Sequence, residues 1–106
     1  MPIRHVVLFT FHEGTTPAQV DEVARRLREL PDLVPQIRSY EVGPDCTGAS
    51  ALAGGGEGAN LDFAVTATFD SLDDFQAYVD HPAHQAVVQE AVAPIRSGRA
   101  AVQFEL

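Results

Sequence analysis

Residues 3–11 read Ile3-Arg4-His5-Val6-Val7-Leu8-Phe9-Thr10-Phe11, a run rich in β-branched and aromatic side chains that predicts a strand. Its odd positions carry Ile3, His5, Val7, Phe9 and Phe11, and its even positions Arg4, Val6, Leu8 and Thr10. Successive side chains of a strand point to opposite faces, so both faces of this one are substantially apolar. Such a strand needs cover on each side, helices on one and something else on the other. His5 falls on the more apolar side.

Working outward, Thr16-Pro17-Ala18-Gln19 has the form of a capping box with proline at the first helical position. Val20, Val23, Ala24, Leu27 and Leu30 follow at helical spacing, opposite Asp21, Glu22, Arg25, Arg26 and Glu29, and Pro31 is expected to end that helix. Ile37 to Val42 predict a second strand, stopped by Gly43-Pro44. Leu61 to Phe69 predict a third, with Leu61, Phe63, Val65, Ala67 and Phe69 on one face. Ser71-Leu72-Asp73-Asp74 caps a helix that carries Phe75, Tyr78 and Val79 inward. Pro82 interrupts it, and a further helix is expected from Pro82 to about Arg96. Ala100 to Leu106 complete the pattern as a last strand.

The order β-α-β-β-α-β is the split βαβ arrangement, an α+β ferredoxin-like fold of four antiparallel strands with two helices on one face. The other face is left bare. A second copy of the sheet is the expected cover, closing a homodimeric α+β barrel through the sheet faces. A chain of 106 residues suits one domain, expected to span 1–106. Residues 45–60, with Gly54-Gly55-Gly56 and Gly58, read as a flexible loop or lid. That segment lacks the Gly-Lys-Ser/Thr ending of a phosphate cradle.

Fifteen acidic residues against seven basic ones give a net charge of −8, which repels a phosphate backbone and argues against nucleic-acid binding. All seven basic residues are arginine, so no lysine is present for Schiff-base chemistry. No secretory leader and no membrane-spanning apolar run are visible. Cys46 is the only cysteine, and a cytoplasmic protein is expected.

The chemistry-bearing residues are histidines. His84 lies one face with Val88, Ala91 and Ile95, so its ring is expected to point toward the sheet, and His5 points from the sheet toward the helices. Tyr78 approaches from the side. One imidazole could take an acidic proton between two carbonyls while a neighbour steadies the enolate oxygen, without a metal or cofactor. The alternative is that His5 and His84 bond to each other or to Tyr78 and stitch the layers together. His81, before Pro82, is expected to cap the last helix. A zinc site at His81-x-x-His84 lacks a third neutral ligand.

Three segments carry a family resemblance. They are Ile3-Arg4-His5-Val6-Val7-Leu8-Phe9, Ile37-Arg38-Ser39-Tyr40-Glu41-Val42-Gly43, and Phe69-Asp70-Ser71 leading to Tyr78-Val79-Asp80-His81-Pro82-Ala83-His84. In that order they resemble the stress-responsive dimeric α+β barrel family, often shortened to Dabb. The resemblance implies a homodimer with a cavity between sheet and helices in each subunit. The family includes a plant polyketide cyclase that folds a linear poly-β-ketone by aldol condensation without a cofactor. A catalytic histidine pair and supporting tyrosine would fall here on His5, His84 and Tyr78. Val7, Phe9, Leu27, Phe63 and Val88 are expected to contact a small apolar or polyketide-like ligand. The first helix carries Val20, Val23, Ala24 and Leu27 where that enzyme places aromatic residues, so the resemblance does not extend to the substrate. Two functions stay open: a cofactor-independent cyclase or lyase, and a non-enzymatic stress-responsive or small-ligand-binding barrel. A quinol or heme monooxygenase fits less well, because the chain has no tryptophan.

Overall fold

The computed structural model describes residues 1–106. Its elements run β1 (Ile3–Phe11), α1 (Pro17–Arg28), a short α2 (Leu30–Leu33), β2 (Ser39–Pro44), β3 (Phe63–Phe69), α3 (Leu72–Asp80), α4 (Pro82–Val87), a π-helical turn (Val88–Val92) and β4 (Arg96–Glu105). The sheet order is β2-β3-β1-β4, with every neighbouring pair antiparallel. This is the ferredoxin-like arrangement that the element order implies.

β1 occupies the middle of the sheet, and its odd residues are all buried while its even residues are half-buried. Register extends that alternation across the strands. His5 pairs with Ala67 and Gln103, and Ala67 pairs with Tyr40, so these four share one row on the helix-covered face. Val6 pairs with Val102 and Arg4 with Phe104 on the opposite face. Val102 and Phe104 are 56% and 47% exposed, so the second face is apolar and uncovered within one chain. The core lies between sheet and helices, with Val23, Leu30, Val34, Phe63, Phe69 and Val92 almost sealed from solvent.

α1 begins as its sequence requires. Thr16 Oγ1 accepts from the Gln19 N–H, and Gln19 Oε1 accepts from the Thr16 N–H, which completes the capping box. The boundary at its far end differs from expectation. α1 stops at Arg28, and Pro31 sits inside the first turn of α2, where a missing N–H costs nothing.

Three further boundaries are corrected. β2 starts at Ser39 rather than Ile37, because Ile37 closes a turn onto the Val34 carbonyl and packs against the core. Gly43 and Pro44 continue β2 instead of stopping it, since β2 is an edge strand and tolerates a residue with no N–H. β3 starts at Phe63 rather than Leu61, and Leu61 is 40% exposed. Asp62 is buried, and its carboxylate accepts from the N–H groups of Phe11 (2.8 Å) and Leu52 (3.0 Å).

The continuous helix expected from Pro82 to Arg96 is also not found. α4 gives way to a π-helical turn, and β4 begins at Arg96, four residues earlier than expected. Gly98 permits this early pairing: a Cβ there would lie 2.7 Å from Thr10 Oγ1. No helix is long and apolar enough to cross a membrane.

Candidate functional site

The break between α3 and α4 sets up the site. His81 precedes proline and is held in an extended conformation, ending α3 and capping α4. Its Nδ1 accepts the Ala83 N–H at 3.0 Å, the capping role its position implies. An unbroken helix would have given that N–H to the Val79 carbonyl four residues back. Released from this duty, the Val79 carbonyl accepts a hydrogen bond from His84 Nδ1–H at 3.1 Å. A carbonyl can only accept, so His84 carries its proton on Nδ1 and presents the lone pair of Nε2.

His5 is arranged in the same way from the sheet side. With the Gln103 carbonyl oxygen facing the ring, His5 Nδ1–H donates to it at 2.7 Å, which again leaves Nε2 as an acceptor. Neither Nε2 has a protein partner. The single buried side-chain polar atom lacking a partner is Gln36 Oε1, so neither histidine nitrogen is sealed off. The Tyr78 ring centroid lies 4.2 Å from that of His84 and 6.1 Å from that of His5. Its hydroxyl bonds to Tyr40 Oη at 2.8 Å. The stitching arrangement considered from sequence, in which the two imidazoles bond each other or Tyr78, is therefore not what holds these side chains. Their partners are Gln103, the Val79 carbonyl and Tyr40.

These groups line one cavity of about 160 Å³ between sheet and helices. Val7, Phe9, Leu27 and Val88 line it with His5, Tyr78 and His84. Phe63, expected on the same wall, does not. It lies on the correct face but too far along β3, where its ring packs 5.9 Å from Phe11 and 6.5 Å from Phe9. Val65, one pair nearer His5, takes that place. Four polar lining or supporting residues were not singled out from sequence: Tyr40, Gln103, Arg96 and Arg99. Their positions follow from strand register, which single-strand periodicity does not contain.

The segment 45–60 contributes no residue to the lining of this cavity. It is tied down at the other end of the layer through Asp62 and a bridge between Ser50 and Asn60. Any side chain at Gly55 would collide with the Ala49 carbonyl, so that glycine serves a close backbone approach.

Electrostatics favour neutral bases. Burial lowers the pKa of His5 below its ordinary 6.5, opposed by the Gln103 bond and reinforced by Arg99 and His84. Burial likewise lowers His84, opposed by the Val79 bond and reinforced by Arg99 and His81. Burial pushes Tyr78 up to about 12, eased by the hydrogen bond with Tyr40 and by Arg99. Tyr40 is pushed up further, by burial and then by Tyr78. Both phenols stay protonated at neutral pH, and either hydroxyl can donate in the bond between them. No group of three or more His, Cys, Asp or Glu side chains converges on a metal position.

Comparison with known proteins identifies the family and the fold. The model of the stress responsive A/B barrel domain matches residues 3–106. Olivetolic acid cyclase of Cannabis sativa is 27% identical over 84 residues, covering 79% of this chain and 77% of that protein. A dimeric ferredoxin-like protein of unknown function from Thermobifida fusca superposes with a TM-score of 0.83 at 40% identity, covering 100% of this chain and 92% of that one. Hydroxynitrile lyase from Passiflora edulis shares the fold at 18% identity, with a TM-score of 0.79 over 99% of this chain and 93% of that one.

Proposed function

We propose that this chain, which belongs to the stress-responsive A/B barrel domain family, is a cofactor-independent acid–base catalyst that cyclises a small poly-β-ketone by an aldol-type step. One observation carries the reading: two neutral imidazoles, each with an unpartnered Nε2, line the same largely apolar cavity beside a tyrosine hydroxyl. Olivetolic acid cyclase, a relative by sequence, supports the reaction class.

In this reading His84 Nε2 removes a proton from a carbon flanked by two carbonyls, giving an imidazolium and an enolate. The enolate carbon bonds to a carbonyl carbon farther along the same molecule, and that oxygen receives the proton back from His84. Atoms balance with no co-reactant. Tyr78 O–H steadies the enolate oxygen as charge develops. His5, whose Nε2 accepts, orients an enolic O–H of the substrate. A positioned general base of this kind contributes roughly 10²–10⁴-fold.

The domain, taken as residues 1–106, acts as a homodimer in this proposal. Its uncovered face, with Val6, Val102 and Phe104, meets the same face of a second copy, as the description of the Thermobifida fusca protein as dimeric supports. Phe104→Glu is then expected to halve the mass seen by light scattering. A chain with one exposed, unpaired cysteine suits the cytoplasm.

The test is to incubate the protein with linear 3,5-diketo and 3,5,7-triketo acids and follow ring-closed products by mass spectrometry. Ring closure above the spontaneous rate, lost in His84→Gln, supports the cyclase. Saturable binding with no turnover of any of them would replace it with the small-ligand-binding reading.

A further inference from the structure

We infer that the cavity selects a monocarboxylate, an apolar body of about six to eight carbons whose carboxylate is held at the mouth by Arg96 and Arg99. This deepens the reading above by naming the ligand class, but it concerns binding and its test does not need turnover.

The arginine census is the first observation. Arg25 pairs with Glu22 and Glu29, Arg26 with Glu90, and Arg38 with Asp70. Arg28 donates to the Val42 carbonyl and Arg4 to Thr68 Oγ1. Arg96 and Arg99 have neither an ion pair nor a hydrogen-bond partner, and both line the cavity. In a chain with fifteen acidic residues, the two unpartnered guanidiniums are the two at this opening.

The second observation is how they come to point the same way. Residues three apart on a regular strand face opposite sides of the sheet. Here Arg99 pairs with Phe9 and Arg96 with Phe11, both of which lie on the helix-covered face, because the register shifts at Thr10/Phe11. The extra residue, Ser97, bonds its hydroxyl to Thr10 Oγ1 at 3.0 Å. This β-bulge re-aims one arginine so that two converge on one side, a recurrent use of bulges beside binding sites.

The third is the chemistry of the remaining wall. Ten of the fourteen lining residues are hydrophobic, and the two histidines are held toward neutrality, so the arginines are the cavity's only fixed charges. Arg99 is exposed and marks the mouth. A planar guanidinium fork matches a carboxylate in two parallel hydrogen bonds. The interior of about 160 Å³ is close to an engineered apolar cavity of roughly 150 Å³ that takes benzene, which sets the size of the buried body.

The probes are hexanoate and octanoate against hexan-1-ol and octan-1-ol, titrated into the full-length wild-type protein at neutral pH by NMR. Each acid is expected to bind about tenfold or more tightly than its alcohol, the effect of a charge-assisted hydrogen-bond pair. That preference should vanish in the Arg96→Gln/Arg99→Gln double variant and survive in Arg25→Gln, whose guanidinium sits on the outer face of α1. His84→Gln should keep the preference, which separates failure of the binding proposal from failure of the cyclase. Equal affinity for acid and alcohol, or a preference that persists without the two arginines, would overturn the assignment.

Discussion

α1 and the α3–α4 segment cover the same face of the sheet, yet only the second places titratable side chains at the cavity. α1 is continuous and closes its own backbone hydrogen bonds, starting with the Thr16–Gln19 box. Its cavity contribution is one aliphatic side chain, Leu27. The other segment is broken at Pro82 and loosened again in the π-helical turn. Each break frees backbone groups, and one of them, the Val79 carbonyl, fixes the tautomer of His84. A regular helix can only pack; an interrupted one has polar groups left over with which to aim a side chain.

The comparison can be broken at several points. The largest effect is expected in the interrupted segment: His84→Gln should lower kcat/KM for ring closure by about 10²–10⁴-fold, with the melting temperature little changed. Comparable loss of stability in place of activity would make His84 a packing residue. In α1 the pattern should reverse. Val23, fully buried and away from the cavity, should cost about 2 kcal/mol in denaturant unfolding as Val23→Ala, with kcat/KM unaltered. Thr16→Ala removes the side-chain half of the capping box and should cost about 1 kcal/mol by the same measurement.

The smallest effect is a pH dependence confined to the cavity side. His5 and His84 both have folded-state pKa values below the ordinary 6.5. On acidification the unfolded chain therefore takes up these protons first. Stability should begin to fall near pH 6.5 and continue to fall until the folded-state groups also protonate. Denaturant midpoints between pH 7.5 and 5 should show this slope in wild type and a shallower one in His84→Gln. An unchanged slope would place the titration elsewhere.

Much of this contrast could be read from the chain itself. The alternation of Ile3 to Phe11 implied a strand needing cover on both faces, the element order implied that helices supply only one of them, and Pro82 implied the break. The convergence of His5, Tyr78 and His84 followed from helical and strand periods. What could not be read were relations between strands. Gln103 supports His5 and Tyr40 supports Tyr78 because of register, which depends on the whole sheet. Phe63 was assigned to the right face but the wrong row for the same reason. Arg96 was absorbed into a helix that ends early. The available signal was Gly98, since a lone glycine beside strand residues marks a bulge. Nor does strand alternation reveal that the Asp62 carboxylate is buried, where it accepts from the Phe11 and Leu52 N–H groups and anchors the glycine-rich segment.

The claim on which the rest stands is that both imidazoles offer an uncharged Nε2 to the cavity at neutral pH. Nitrogen-15 NMR of the histidine rings, recorded across pH, reports tautomer and titration together. The account predicts that His5 and His84 each carry the proton on Nδ1 at pH 7 and titrate below 6.5. An Nε2–H tautomer at His84, or titration of either ring above 6.5, would contradict it.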